Sequence, residues 1–165
     1  MADTISPRPS RTDALLDVVL DAMSGDMPVL EERRRDRQQA VRDLISTGSF
    51  QPGGLDGPFI LHLARQAGKL VFDVRDAEDA PRLRLPISLA PLRRLIKDYN
   101  LTVESYAEAI AEGNPIRIRA MDFGRRALHD EAAAELRAML EGQVAMDFDT
   151  ARRLFSLICV MAARD

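Results

Sequence analysis

The chain has 165 residues, of which 46% are hydrophobic and 30% charged, so it can bury a core and has the composition of a globular protein. Its net charge of −3 argues against a nucleic-acid partner, because general nucleic-acid binders usually carry a basic surplus. The single cysteine, Cys159, excludes an intramolecular disulfide and a cysteine-based zinc site, and its apolar neighbours predict a buried side chain.

The sequence contains no segment typical of membrane insertion. Residues 1–12 are poor in apolar side chains and predict a mobile tail, followed by one domain over residues 13–165. The tail lacks the apolar core of a signal peptide, and the longest apolar stretch, Leu154 to Ala163, is too short to span a bilayer. We therefore expect a cytoplasmic protein with no membrane partner.

The first third of the chain predicts a strand, a helix and a loop. Residues 15–20 are rich in branched apolar side chains, as in a β-strand. Pro28 suits the first turn of a helix that should run to Thr47 and stop at Gly48. Residues 51–58 are rich in glycine and proline and predict a connecting loop; they lack the lysine and hydroxyl residue of a phosphate-binding P-loop.

Two alternating segments around Ala67-Gly68 predict a β-hairpin. A two-residue turn there places His62 directly opposite Asp73 on the neighbouring strand. Residues 82–87 are expected to add a third strand, which Pro86 confines to the edge of the sheet. The face of the hairpin that should meet the core carries Phe59, Leu61, Leu63, Leu70, Phe72 and Val74.

Two long helices should follow the sheet. Ser88 is the expected N-cap of the first, and its apolar stripe from Leu92 to Ile110 keeps helical spacing without a break. Gly113 ends this helix. Asn114 then caps a second helix that should end near Glu141.

The last helix is expected to be buried. Residues 144–148 form a short segment that could be an edge strand, and Asp149 is the expected cap of a helix from Thr150 to about Ala163. This helix is apolar almost all round, which predicts a central position in the core and packing against the first long helix.

A short sequence motif occurs twice near the C-terminus, in residues 121–128 and 146–155. Each copy contains an acidic residue, an aromatic residue and an arginine pair. The second pair, Arg152 and Arg153, should lie in the first turn of the last helix, where the helix dipole disfavours cations by about 0.3–1 kcal/mol. Either nearby aspartates neutralise them, or the arginines and the free amides of the helix N-terminus form an anion site.

The first arginine pair, Arg125 and Arg126, lies in mid-helix with His129 one turn further on. Gly124 beside it costs about 1 kcal/mol relative to alanine in a helix interior, which predicts that another helix or a ligand approaches closely. The candidate anion-binding residues are therefore Arg125, Arg126, His129, Arg152 and Arg153.

His62 and Asp73 are the candidate catalytic residues. A carboxylate beside an imidazole fixes its tautomer and raises its basicity, as a general base requires. No serine nucleophile motif accompanies the pair, so a cross-strand contact that only stabilises the sheet is the alternative. We expect no metal and no cofactor, because a two-histidine site would need His62 and His129 to converge.

Several long motifs in the same order resemble the uncharacterised protein family 0262, a set of small alphaproteobacterial proteins. They cover nearly the whole chain after the tail. The resemblance implies a small, soluble, single-domain bacterial protein, and it brings no assigned activity, cofactor or catalytic residue. The motifs are Leu61-His62-Leu63 with Leu70-Val71-Phe72-Asp73, Leu92 to Tyr99, Gly124 to His129, and Asp147 to Phe155 with Leu157 to Val160.

The sequence thus predicts an α+β fold, a small mainly antiparallel sheet with four helices. Three functional hypotheses stay open. The first is a non-enzymatic binding protein, with a homodimer left open, whose arginines bind an anionic small molecule or an acidic protein surface. The second is a small enzyme in which His62 and Asp73 act on a substrate held by arginines. The third makes every arginine pair an internal salt bridge with no pocket between them. The first hypothesis is motivated by four arginine clusters in an acidic chain: Arg33 to Arg35, Arg93-Arg94, Arg125-Arg126 and Arg152-Arg153.

Overall fold

The computed structural model describes residues 12–21 and 31–162, with side chains from residue 34 onward in the second range. The predicted tail, apart from Thr12, and the predicted helix start at Pro28 lie outside these residues, as does the Arg33 side chain. The elements in chain order are β1 (Leu15–Leu20), α1 (Glu31–Thr47), β2 (Phe50–Pro52), β3 (Phe59–Gln66), β4 (Lys69–Arg75), β5 (Pro81–Ser88), a 3₁₀ turn (Ala90–Leu92), α2 (Arg93–Glu112), α3 (Pro115–Met139), β6 (Val144–Met146) and α4 (Phe148–Ala162).

A four-stranded sheet in the order β1-β3-β4-β5 forms one layer of the fold. β1 runs parallel to β3, and the other two pairings are antiparallel. The α+β class and the mainly antiparallel sheet are therefore confirmed. Pro86 lies on the edge strand β5, where it removes no hydrogen bond from an inner strand.

The register of the β3–β4 hairpin is the one that the alternation predicts. Ala67 and Gly68 both have positive φ, 52° and 76°, as a two-residue hairpin turn with the twist of the strands requires. His62 consequently lies opposite Asp73. All six side chains of the expected core face are at most 1% exposed: Phe59, Leu61, Leu63, Leu70, Phe72 and Val74.

A second, two-stranded sheet pairs β2 with β6. The prediction of a short strand near residue 144 is confirmed, but Gln51 and Pro52 are not part of a loop as expected. They pair with Ala145 and Val144, nearly a hundred positions later. Local composition favoured a loop because glycine and proline crowd the segment, and a partner so distant in sequence leaves no local signal.

The two long helices form a hairpin with the predicted caps between them. Gly113 closes α2 with φ of 68°, a conformation that suits glycine, and the Asn114 side chain accepts hydrogen bonds from Ile116 N and Arg117 N. Ser88 Oγ accepts a hydrogen bond from Ala90 N, 3.2 Å away. The predicted cap at Ser88 is nevertheless wrong, because the N-cap positions are Leu89 for the 3₁₀ turn and Leu92 for α2, and neither has a side-chain cap.

Helix α4 is buried, as predicted. It contacts α2 and, more extensively, α1 and α3. Cys159 is 1% exposed within its apolar face, so the expectation of a packed thiol is confirmed. None of the helices in the described part of the chain has the length and hydropathy needed to cross a membrane.

Candidate functional site

The two arginine pairs line one cleft with a volume of about 330 Å³, which we call the arginine cleft. Helix α3 supplies Arg125 and Arg126, and α4 supplies Arg152 and Arg153. The five predicted anion-binding residues therefore meet at one place, since His129 lines the same cleft. The other lining residues are Asp36, Gln39, Ala40 and Asp43 from α1, Tyr99 from α2, and Asp149 and Ser156 from α4.

Helical spacing and core packing bring these side chains together. Arg125 and His129 are one turn apart on α3, and Arg152 and Ser156 are one turn apart on α4, so both helices turn these residues toward the cleft. The buried residues of α4 hold it between α1 and α3. The position of the cleft is therefore a consequence of the core.

Each arginine of the cleft has a carboxylate partner. The carboxylate of Asp122 accepts a hydrogen bond from Arg125 Nη2 at 2.8 Å and forms an ion pair with Arg126 Nη2 at 3.1 Å. Arg153 Nε lies 3.2 Å from Asp43 Oδ2. The hypothesis of internal salt bridges is confirmed in its pairing, but its second expectation, that no pocket opens between the pairs, is wrong.

The α4 arginines are the less completely bonded pair. Arg152 reaches Asp130 at 3.5 Å and Asp149 at 3.9 Å, and both distances exceed the usual range of a hydrogen bond. Arg153 Nε is buried and, among the described residues, has no hydrogen-bond partner, although Asp43 is close. Charge-assisted hydrogen bonds depend on alignment, so the 3.2 Å contact between Arg153 Nε and Asp43 is an ion pair but not a hydrogen bond.

His129 is a neutral member of the cleft. Its Nε2 lies 2.9 Å from Ser156 Oγ. Burial, and then the charges of Arg152 and Arg125, lower its pKa to about 4, so the imidazole is uncharged at neutral pH. His129 can therefore donate or accept one hydrogen bond at the cleft, but it adds no positive charge there.

Arg125 is held by more than its carboxylate. Its guanidinium carbon lies 5.0 Å from the centre of the Tyr106 ring on α2, within the range of a cation–π contact. The Tyr106 ring and the Asp122 carboxylate both restrict the guanidinium of Arg125.

The N-terminus of α4 differs from the prediction in two ways. The helix begins at Phe148, and the carboxylate of Asp147, rather than of Asp149, accepts from Thr150 N at 2.8 Å. Arg152 and Arg153 thus lie in the second turn, where the dipole is weaker. Because the cap occupies Thr150 N, this amide is not available to an anion.

The expected close approach at Gly124 is wrong. A Cβ atom built at this position would meet no heavy atom within 4 Å. Neither another helix nor a pocket residue of the described chain therefore explains the glycine, and we have no physical account of it.

The structure corrects the predicted catalytic pair. His62 Nδ1 lies 2.9 Å from Asp21 Oδ2, and its Nε2 lies 2.9 Å from Asp79 Oδ1. Asp73, although opposite in register, accepts instead from Arg75, which is two residues along on the same face of β4. The partners of His62 come from the end of β1 and the β4–β5 turn, which register alone does not reveal.

His62 and Asp73 do not line the arginine cleft. The proposed enzyme required both to share a cleft with an arginine pair, and among the described residues they do not. Within residues 12–21 and 31–162, no group of three histidine, cysteine, aspartate or glutamate side chains is placed to hold a metal ion.

Several cleft residues were missed by the sequence analysis. Asp36 and Asp43 are seven positions apart on α1 and so share one face, but nothing in the sequence says that this face meets α4. Ser156 could have been found, because it follows Arg152 by one helical turn. Tyr99 was assigned to the core stripe, and it is both buried and part of the cleft.

Comparison with known proteins finds one family. The model of the uncharacterised protein family UPF0262 matches residues 12–164. Similar chains include the UPF0262 proteins of Granulibacter bethesdensis, 42% identical over 98% of this chain and 97% of that protein, and of Rhodospirillum rubrum, 44% identical over 93% and 94%. The UPF0262 protein of Acidiphilium cryptum is 47% identical over 89% of this chain and 91% of its own length. No solved structure matches.

Proposed function

The chain belongs to the uncharacterised protein family UPF0262, and we propose that it is a non-enzymatic binding protein whose arginine cleft takes a small phosphorylated or carboxylated metabolite. The observation that carries the proposal is the meeting of two arginine pairs from two helices in one cleft. Guanidinium groups bind phosphate and carboxylate through paired N–H donors, so this concentration of donors suits an anion.

The donors of the cleft are not used up by its internal ion pairs. Arg126 is 70% exposed in its side chain and contacts one carboxylate oxygen, which leaves most of its N–H groups to solvent. Arg152 makes only long contacts. Exposed ion pairs contribute about 0–1 kcal/mol each, so an anion can compete for these donors at little cost.

The carboxylates of the cleft favour a particular kind of anion. Asp36, Asp43 and Asp149 also line it and would repel a bare phosphate. They would accept hydrogen bonds from hydroxyl groups on the same ligand. We therefore favour a hydroxylated anion, such as a sugar phosphate or a hydroxy acid, over inorganic phosphate.

Thermal unfolding with sugar phosphates, hydroxy acids and nucleotides tests the proposal. A ligand at 100 times its Kd should stabilise the protein by about 2.7 kcal/mol, a rise in Tm of roughly 5–10 °C. The Arg152→Gln variant should lose this rise, because it removes the cation with the fewest internal bonds. A matched neutral sugar should give no rise with either protein.

Arg94→Gln is the matched control, since Arg94 is an exposed helix arginine paired with Asp98 and Glu131 outside the cleft. It should keep the full response. Equal loss in both variants would show general electrostatic attraction rather than a site. The absence of any rise at millimolar ligand would refute the proposal.

A further inference from the structure

The outer side of the α2–α3 hairpin carries large apolar residues that face solvent. Ile116 is 82% exposed, Phe123 is 77% exposed and Leu101 is 51% exposed. Ala120 and Ala127 are exposed as well, and the order Ile116, Ala120, Phe123, Ala127 follows the four-three-four spacing of a helix-packing seam. Single exposed apolar residues are normal, but a row of them at this spacing marks an interaction surface.

Charges of opposite sign lie on the two helices of this hairpin. Along α2, Glu104, Glu108 and Glu112 are exposed at intervals of four, which makes an acidic row. Along α3, Arg119 and Arg126 are exposed seven positions apart, beside the apolar row. Near the turn, the exposed charges are thus acidic on α2, where Arg117 of α3 pairs with Glu108 and Glu112, and basic along the outer margin of α3.

Two ion pairs fix how the helices lie along each other. Arg117 Nη1 is 2.7 Å from Glu112 Oε2 near the turn. Arg94 Nη2 is 2.6 Å from Glu131 Oε1 at the opposite end. Residues equally distant from the turn are thus at the same height, so the acidic row on α2 lies level with Phe123 and the basic margin of α3.

We propose that this side of the hairpin is the interface of a homodimer whose two-fold axis runs parallel to the helices. In that arrangement α2 of one protomer lies on α3 of its partner, and both turns are at the same end. Arg119 then faces the partner's Glu108, and Phe123 packs on the partner's α2 near Leu101 and Glu104. The antiparallel arrangement would instead set acidic row on acidic row, which is repulsive.

The charge pattern favours a second copy of this chain over a membrane surface or a helix of another protein. A membrane surface would meet the acidic row of α2 as well as the apolar row of α3. A foreign acidic helix would be attracted to α3 and repelled by α2. In a dimer of this chain, the acidic row on α2 of each protomer lies against the basic margin of α3 of the other. Both helices then meet charges of opposite sign.

Sedimentation equilibrium of the full chain tests the dimer. The wild type should approach twice the 18.4 kDa of one chain as concentration rises. Phe123→Ala should raise the dissociation constant about tenfold or more, as truncation of a central aromatic contact does. Ile45→Ala, a truncation at a 42% exposed site on α1, should leave it unchanged. Unchanged circular dichroism of both variants will show that the fold is intact.

A charge exchange and a distance measurement test the arrangement. Arg119→Glu should weaken association, and adding Glu108→Arg should restore it in part, because the exchange recreates the pair between protomers. Ala134 is exposed on α3 at the end far from the turn, and a spin label on Ala134→Cys reacts only there, since Cys159 is 1% exposed. Labels within about 20 Å of each other fit turns at the same end, in a bundle with helices roughly 10 Å apart.

Three results would overturn the proposal. They are a wild type that stays monomeric at every concentration, a dimer that Phe123→Ala does not weaken, and labels separated by much more than about 30 Å, the length of a 20-residue helix. A monomer that binds anionic vesicles through Phe123 would assign the surface to a membrane instead.

Discussion

The imidazole of His129 lies almost parallel to the ring of Tyr99, with centroids 4.7 Å apart and planes inclined by 24°. The edge of Phe155 approaches the same imidazole from another side, at 6.2 Å between centroids. These rings keep water away, while Arg152 and Arg125 bring positive charge near. Both effects oppose protonation, which is why the pKa of His129 is low.

The stability of the protein should therefore depend on His129 below neutral pH. Its pKa is 6.5 in the unfolded chain and about 4 when folded, so between these values the unfolded chain binds the additional proton. The free energy of unfolding should fall as pH drops through this window, by about 2 kcal/mol at pH 5. Urea unfolding at pH 7 and pH 5 measures it. His129→Gln, which keeps a hydrogen-bond partner for Ser156, should show a smaller fall, and an equal fall would contradict the assignment.

Anion binding should raise the pKa of His129. The charges of Arg152 and Arg125 lower this pKa, and an anion bound between the arginines would offset them. NMR titration of the His129 ring with and without the best ligand from the thermal screen checks this. An unchanged pKa under saturating ligand would place the anion outside the arginine cleft.

The two aspartates at the start of α4 should differ in their effect on stability. Asp147→Ala removes the cap of Thr150 N and should destabilise the protein by about 1–2 kcal/mol. Asp149→Ala removes an exposed carboxylate with a 3.9 Å contact to Arg152, and its effect should be within about 0.5 kcal/mol. Chemical denaturation of the two variants compares them directly. Equal effects would mean that the cap is not at Asp147.

Gly124→Ala should stabilise the protein. The position is helical and a methyl group would meet no heavy atom within 4 Å, so alanine should add about 1 kcal/mol and raise Tm by roughly 2–4 °C. Gly113→Ala is the matched control, because φ of 68° there opposes any Cβ, and it should lower Tm. A loss of stability in Gly124→Ala would show that something outside the described residues occupies the space.

His62 should control the acidity of Asp79. The hydrogen bond from His62 is the largest cause that lowers the pKa of Asp79, followed among the favourable ones by the charge of Arg75. In His62→Asn the pKa of Asp79 should rise toward 3.8, as followed by NMR of the side-chain carboxyl group. His129→Gln should leave it unchanged. A constant value in His62→Asn would assign the lowering to Arg75 alone.

The sheet and the long helices could be predicted because their signals are local. Alternation over residues 59–75, with two turn residues between the segments, determines a register, and the register places His62 opposite Asp73. It does not determine where the side chains point for hydrogen bonds. Arg75 donates a hydrogen bond to Asp73. Asp79 contacts His62 from the β4–β5 turn, where the sequence has no regular alternation.

The arginine cleft could be predicted only in part. Two arginine pairs on two helices are visible in the sequence, but their convergence depends on α1 and α4 packing together. Asp36 and Asp43 come from a helix with few apolar residues and a weak apolar periodicity, so the sequence pattern does not show which face meets α4. The start of α4 was misplaced because Asp147 and Asp149 are both suitable caps, two residues apart.

The pairing of β2 with β6 has a consequence for how the protein folds. Ser49 N donates to Thr150 Oγ1 across 101 positions of chain, next to that pairing, and this contact joins the end of α1 to the start of α4. Such distant contacts form slowly, because the entropy of closing a long stretch of chain is lost before the contacts stabilise the fold. We therefore expect the walls of the arginine cleft that come from α1 and α4 to be assembled in a late step of folding. A fragment without β6 and α4 would lack the α4 wall of the cleft and the buried side chains of α4, so ligand binding would report the completion of the fold itself.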